Sequence, residues 1–232
     1  MIADRVILGF DTATADTAVA TWIGGEATER SAAAGSGRPL HATRLLPMAE
    51  ELVADAGGWG EVGLIAVGIG PGSFTGLRIG VATARGLAQS RRLPLVGVRS
   101  TSALLAGIGL SPAAAGRMSM AVIDARRGEV FAALGAADDA EPIVCAPAEL
   151  AARFGPEAVA GAVAAGDGAV RFRAEIEAAG ALVLPDGDDA QRLSASRICE
   201  LAAALEPVGP ERIRPMYLRR PDAERWRERN GN

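Results

Sequence analysis

The chain has 232 residues and 23.7 kDa, of which 49% are hydrophobic, 22% charged and 4% aromatic, with a formal net charge of −4. That is enough chain for one large domain or two small lobes, and the acidic balance argues against a surface that binds nucleic acid all over. Every one of the 24 basic residues is arginine and the only histidine is His41, which excludes a Walker lysine, a Schiff-base lysine, HExxH and any paired-histidine metal centre.

The first segment, RVILGFD, reads as a strand over 5–11. Thr12 to Asp16 turn it into a second strand over 17–23, and Gly24-Gly25 supply a two-residue hairpin into a third near 26–31. A glycine-rich connection leads to a helix within Leu40 to Ala56, with Leu45, Ala49, Leu52 and Ala56 on one face. Pro47 must start that helix or kink it. The apolar run 62–69 has the length and branched content of a strand buried on both faces, and Gly70-Pro71-Gly72 break it. A helix follows over 74–91, capped by Ser73 or Thr75. A strand over 93–98 and a helix from the Ser100-Thr101-Ser102 cluster to Ile108 complete this half. Three meander strands, then helix, strand, helix, strand, helix, match a ribonuclease H-like layout better than a doubly wound one.

Ser111 to Gly116 read as a lobe boundary, dividing a first lobe (1–110) from a smaller second lobe (111–210) and a basic tail (211–232) that packs back on the first. Residues 118–124 and 129–135 are two strands joined by ARRG, followed by helical segments over 147–154, 169–179 and 194–205. Residues 211–229 carry seven arginines against four acids, while the rest of the chain nets −7. No run reaches the roughly 18 apolar residues of a membrane span. The charges at Asp4, Arg5 and Asp11 are foreign to a secretory core, so the cytoplasm is expected. Cys145 and Cys199 read as buried small hydrophobes in a reducing compartment.

Three glycines, Gly76, Gly80 and Gly86, lie inside the second helix at about 1 kcal/mol each relative to alanine. Gly76, Gly80, Ala84 and Ala88 fall four apart and form a smooth stripe for close approach, either by the chain's own sheet or by a second protein. Asp11 and Thr12 stand where a magnesium and phosphate turn would sit in an actin-like kinase, but Ala13 replaces the glycine that lets backbone N–H groups near phosphate; a turn-stabilising aspartate is the plainer reading. GIGPGSFTG joins a strand to a helix N-terminus, yet its spacing fits no phosphate fingerprint. The DARRGEVF hairpin reads as a solvated turn. No complete catalytic or metal-binding constellation is present.

FDTATADTAVA, HATRLLP, AVGIGPGSFTGLRIGVATARGLA, LVGVRSTSALLA, DARRGEVFAAL and YLRRPDAE together resemble the bacterial tRNA threonylcarbamoyladenosine biosynthesis family TsaB, also called YeaZ. The family commonly has His-Ser-Glu before its Leu-Leu-Pro, where this chain has His41, Ala42 and Thr43. The resemblance implies an α/β, actin-like (ASKHA) fold of two lobes with mixed sheets flanked by helices. It implies a non-catalytic paralogue of TsaD, the enzyme that transfers threonylcarbamoyl to the adenosine 3′ of the anticodon in ANN-decoding tRNAs. TsaD is then the heterodimer partner, the ATPase TsaE and tRNA join through the complex, and any ATP or ADP binds at that level rather than to the isolated chain; self-association of the chain alone is left open. The interface so implied comprises His41, Leu45 and Leu46 on the first helix and Phe74, Thr75, Gly76, Leu77, Gly80, Thr83 and Ala84 on the second. Two competing readings are an ATP-dependent phosphotransferase using Asp11 for magnesium and a peptidase using Ser73.

Overall fold

The structure is a computed structural model that describes residues 5–34 and 39–219. Its first half runs β1 (Val6–Asp11), β2 (Thr17–Ile23), β3 (Glu26–Ala32), α1 (His41–Asp55), β4 (Val62–Gly68), α2 (Phe74–Arg91), β5 (Leu95–Val98) and α3 (Ser100–Gly109). The second half runs β6 (Met118–Arg126), β7 (Glu129–Leu134), β8 (Ile143–Cys145), α4 (Leu150–Phe154), α5 (Pro156–Ala160), β9 (Ala162–Ala165), α6 (Asp167–Arg171), α7 (Arg173–Ala178), β10 (Leu182–Val183) and α8 (Ala195–Ala203). These strands form two five-stranded sheets, ordered β3-β2-β1-β4-β5 and β10-β9-β6-β7-β8. Each begins as an antiparallel meander, β1-β2-β3 or β6-β7-β8, and continues with two parallel strands on the far side of its first strand. The topology is therefore repeated without a sequence repeat, and the result is the expected actin-like α/β architecture.

Period-two alternation sorts the side chains of β1 between two cores. Val6, Leu8 and Phe10 pack under α1 and α2 with Leu45, Leu52, Val81 and Ala84. Ile7 faces the opposite way, into a cluster that also holds Leu104, Ile108, Ile198 and Cys199 from α3 and α8 and Ile123 and Phe131 from the second sheet. Helices α3 and α8 thus lie between the two sheets. At Gly9 a Cβ would overlap the Cys199 sulfur, so α8 can lie against β1 only because this position has no side chain. Glu29 on β3 fixes the entry to α8 by accepting from the backbone N–H groups of Ala195 (2.9 Å) and Ser196 (3.0 Å). A third cluster, with Met120, Val122, Leu150 and Ile176, fills the outer face of the second sheet.

The turn after β1 is locked to α2. Thr12 donates its hydroxyl to the Gly76 carbonyl (2.8 Å). A Cβ on Gly76 would overlap the Thr12 carbonyl oxygen, and one on Gly80 would overlap the Thr12 hydroxyl. The chain's own β1–β2 turn therefore occupies the space in front of Gly76 and Gly80, while Ala84 and Ala88, also buried, pack in the core under α1 and α2. Ser73 is the N-cap, accepting from the Gly76 N–H (3.3 Å). Pro47 lies inside α1, which continues past it on both sides.

Beside this joint Asp11 is 1% exposed. Its Oδ1 accepts from the Ala13 N–H (2.6 Å) and its Oδ2 from the Ser100 hydroxyl (2.6 Å), which in turn accepts from the Gly70 N–H (3.2 Å). Ser100 is thus no cap of α3, whose N-cap Arg99 makes no side-chain capping bond among the described residues; it joins the end of β1 to the loop after β4. Gly68 leaves room for the Asp11 carboxylate, which a Cβ would overlap. Burial pushes the Asp11 carboxyl up to about 6, against the lowering effect of Ser100 and the backbone of Ala13 and Thr12.

Two outcomes follow from this joint. Gly76→Ala should lower the unfolding free energy of the isolated chain by about 3 kcal/mol, because the new methyl meets backbone that cannot step aside; a denaturant midpoint equal to wild type would contradict it. The raised carboxyl of Asp11 means that the folded state holds its proton to higher pH than the unfolded state. Its contribution should therefore decline as pH rises from about 4 to about 6, by up to about 3 kcal/mol. Denaturant titrations across that window should show the slope in wild type and its loss in Asp11→Asn.

Candidate functional site

Helices α1 and α2 lie side by side over the first sheet, and the implied interface residues divide sharply between their inner and outer faces. His41, Leu45, Gly76, Leu77, Gly80 and Ala84 are buried in the chain's own core. These six cannot form the contact surface themselves, because the sheet and the β1–β2 turn already occupy the space in front of them. Leu46, Phe74 and Thr75 are exposed, and Thr83 is half-buried on the outer face. The outward line of α2 reads Thr75, Ile79, Ala82, Thr83 and Gly86, with no charge among them. Gly86 differs from the other two helical glycines in one respect. A Cβ there would meet nothing within 4 Å among the described residues, so their packing does not require it.

His41 is buried, with Nδ1 2.8 Å from the Thr17 hydroxyl, an arrangement whose donor depends on the tautomer. Its Nε2 is buried without a hydrogen-bond partner among the described residues and faces Gly76. Burial lowers its pKa, opposed by the Thr14 backbone and the Asp16 charge, which favours the neutral ring. Ser73 is exposed, and its oxygen serves as the α2 cap. The one histidine is enclosed by Thr17 and Gly76 and supplies no accessible base to that hydroxyl.

A cleft of about 520 Å3 opens between the lobes, at the ends of β1 and β6 and the start of α2. Its walls include Thr14, Ser73 and Phe74 from the first lobe, Asp124, Arg126 and Arg127 from the β6–β7 hairpin, and the segment 216–219. Asp11 and Thr12 are not among the lining residues. Asp11 points inward to Ser100, so the aspartate read as a magnesium candidate does the work of a turn. The cleft's own carboxylates are also engaged. Asp124 Oδ2 lies 2.7 Å from Arg171 and 3.1 Å from Arg126, and Asp167 Oδ1 accepts from the Asp124 N–H (2.9 Å). Burial raises the Asp167 pKa, against the hydrogen bond from Asp124. At the hairpin tip Arg126, Arg127 and Gly128 have φ of 64°, 57° and 77°. Left-handed arginine is costly, on the order of 1 kcal/mol per residue. Among the described residues no three His, Cys, Asp or Glu side chains are grouped to hold a metal ion, and no helix is long and apolar enough to cross a membrane.

Sequence reasoning missed two contacts of this region. The Asp11–Ser100 bond spans 89 residues and the Asp124–Arg171 pair 47; neither leaves a local pattern. The run YLRR carried a signal, since Tyr217 is the only tyrosine in the sequence and stands two residues before Arg219, but not its partners. Of the arginine-rich tail, residues 220–232 lie outside the described part of the chain.

The comparisons with known proteins agree with this architecture. Residues 37–206 match the family described as TsaD, tRNA N6-adenosine threonylcarbamoyltransferase. The Escherichia coli K12 tRNA threonylcarbamoyladenosine biosynthesis protein TsaB is 36% identical over 126 residues, covering 54% of this chain and 52% of that protein. The chain therefore spans about half the length of the curated TsaB relatives it matches. An uncharacterised protein of Mycobacterium tuberculosis H37Rv is 32% identical over 198 residues, 79% of this chain and 77% of that one. The solved structure of YeaZ from Pseudomonas aeruginosa is 30% identical with a TM-score of 0.72, covering 92% of this chain and all (100%) of the other. Motifs, topology and these matches converge, and the chain belongs to the TsaB (YeaZ) family of tRNA threonylcarbamoyladenosine biosynthesis proteins.

Proposed function

We propose that this chain is a non-catalytic subunit that binds and activates a TsaD-type transferase through the outer face of α1 and α2. The transferase then carries out threonylcarbamoyl transfer to the adenosine 3′ of the anticodon of ANN-decoding tRNAs. The ATPase TsaE, tRNA and any ATP or ADP engage the complex rather than the isolated chain.

The observation that carries this reading is Gly86. A glycine inside an exposed helix costs about 1 kcal/mol, and at Gly76 and Gly80 the close approach of Thr12 offsets that cost. At Gly86 nothing among the described residues does so. A backbone from another molecule, packed along the uncharged line Ile79, Ala82, Thr83 and Gly86, supplies the missing reason. Leu46 on α1, 45% exposed, and Phe74 at the start of α2, 40% exposed, flank that line as apolar anchors. The engaged carboxylates of the cleft, the inward Asp11 and the enclosed His41 support partnership over an autonomous phosphotransferase or peptidase.

Titration against the TsaD homologue of the same organism, by size exclusion and calorimetry, tests the reading. Gly86→Leu and Leu46→Glu should each weaken the complex by about tenfold or more, equivalent to about 1.4 kcal/mol. The isolated Gly86→Leu chain should unfold no earlier than wild type, and Gly86→Ala should gain about 1 kcal/mol. Wild-type affinity in both surface variants would defeat the proposed face, and loss of folding in Gly86→Leu would show that the glycine serves the chain's own packing.

A further inference from the structure

The segment that follows the last helix leaves one lobe and ends on the other. Ile213 is buried against the first sheet, its side chain lying over Gly97, where a Cβ would come within 3.2 Å of it. The Met216 N–H donates to the Ile69 carbonyl at the end of β4 (2.7 Å). Leu218 packs on the cluster between the sheets. Arg219 then donates to the Ala125 carbonyl (2.9 Å) and pairs with Glu129 (3.3 Å), both on the β6–β7 hairpin of the second lobe, with only 14% of its side chain exposed. Midway, Tyr217 sits on Phe74 with ring centroids 5.1 Å apart. Its hydroxyl accepts from Arg78 Nε (3.3 Å), while the Arg78 guanidinium lies 3.9 Å over the Phe74 ring.

We propose that residues 213–219 are a strap that couples the angle between the two lobes to the outer face of α2. Three peptide steps separate Met216 from Arg219, and extended chain spans at most about 11 Å over them. Opening of the cleft beyond that reach and the added length of the Arg219 side chain must release either the Met216–Ile69 bond or the Arg219 contacts with the hairpin. Releasing the first end also pulls Tyr217 off Phe74, which stands on the helix face assigned above to the partner. That last link rests on the docking reading; the strap itself does not. A partner that covers Phe74 and Tyr217, respectively 40% and 42% exposed, removes the stack from water and holds the strap in its bridging position. Docking on α2 and closure of the lobes therefore favour each other, and the coupling is the same in both directions.

Hydrogen exchange on the intact chain tests the strap from both ends. Arg219→Met removes the contacts with Ala125 and Glu129 in the second lobe, yet it should speed exchange by about threefold or more both at residues 125–130 and at 77–80 of α2. Arg171→Met, which loses a bond to Asp124 of the same hairpin but none to the strap, should leave residues 77–80 at the wild-type rate. Conversely, Tyr217→Ala should speed exchange in the hairpin at 125–130. Unchanged rates at 77–80 in Arg219→Met, or an equal effect of Arg171→Met, would overturn the proposal. If Arg219→Met does not fold, Tyr217→Ala decides, and wild-type exchange in its hairpin overturns it. Adding the TsaD homologue should slow hairpin exchange in wild type and not in Arg219→Met. Protection of α2 without any slowing of the hairpin overturns the coupling, whereas no protection on α1 or α2 defeats the docking reading and leaves the isolated-chain rates to decide on the strap.

Discussion

The architecture of the first lobe depends on one close approach, that of the turn after β1 to the inner face of α2. Thr12 occupies the volume that side chains at Gly76 and Gly80 would fill, and it bonds to the helix backbone there. This contact sets how low α2 sits on the sheet, and so where Leu77, Val81 and Ala84 meet the core. It also turns the Asp11 carboxylate toward Ser100, which ties β1 to the loop after β4. Two glycines in a helix are a local loss that a tertiary contact offsets, and the inner face of α2 is closed to outside molecules as a result.

The same logic operates between the lobes. Gly9 admits the sulfur of Cys199, Glu29 supplies the N-terminal acceptor that α8 lacks, and α3 and α8 together fill the space between the sheets with aliphatic side chains. The region between the sheets is therefore apolar and continuous, while in the wall of the cleft Asp124 is paired with Arg126 and Arg171. The two-lobe fold has an inward-turned aspartate, an enclosed imidazole and a segment, 213–219, that runs from the first sheet to the hairpin of the second.

Most of the first lobe was legible because its elements announce themselves locally. The strand pair around Gly24-Gly25, the buried run of β4, the break at Gly70-Pro71-Gly72 and the Ser73 cap are each a short pattern with a physical reason, and they lie where the sequence put them. The second lobe was less readable between β7 and α8. Its strands β8, β9 and β10 have three, four and two residues and are rich in alanine, which carries neither helix nor strand periodicity. The segment 169–179 proved to be two short helices beginning at Asp167, and 147–154 begins with a 3-10 turn before α4. The candidate site was half legible. Four apart along a helix, small residues do mark a close contact, but spacing alone does not say whether the facing backbone belongs to the same chain. Gly76 and Gly80 met an internal partner, and only the empty space around Gly86 distinguished the outward glycine from the inward ones. The functions carried by Ser100, Tyr217 and Arg219 depend on residues 89, 139 and 94 positions away and have no local signature.

The two cysteines have a consequence of their own. Cys199 lies between the sheets and Cys145 in the outer cluster of the second sheet, both free and buried, and burial raises the pKa of each thiol. A thiol reacts with an alkylating reagent only as the accessible thiolate. Each sulfur therefore works as a native clock, silent in the packed molecule and marking time only when its own layer opens. One reads the separation of the lobes, the other the loosening of the second lobe's outer shell, with no label introduced and no residue changed.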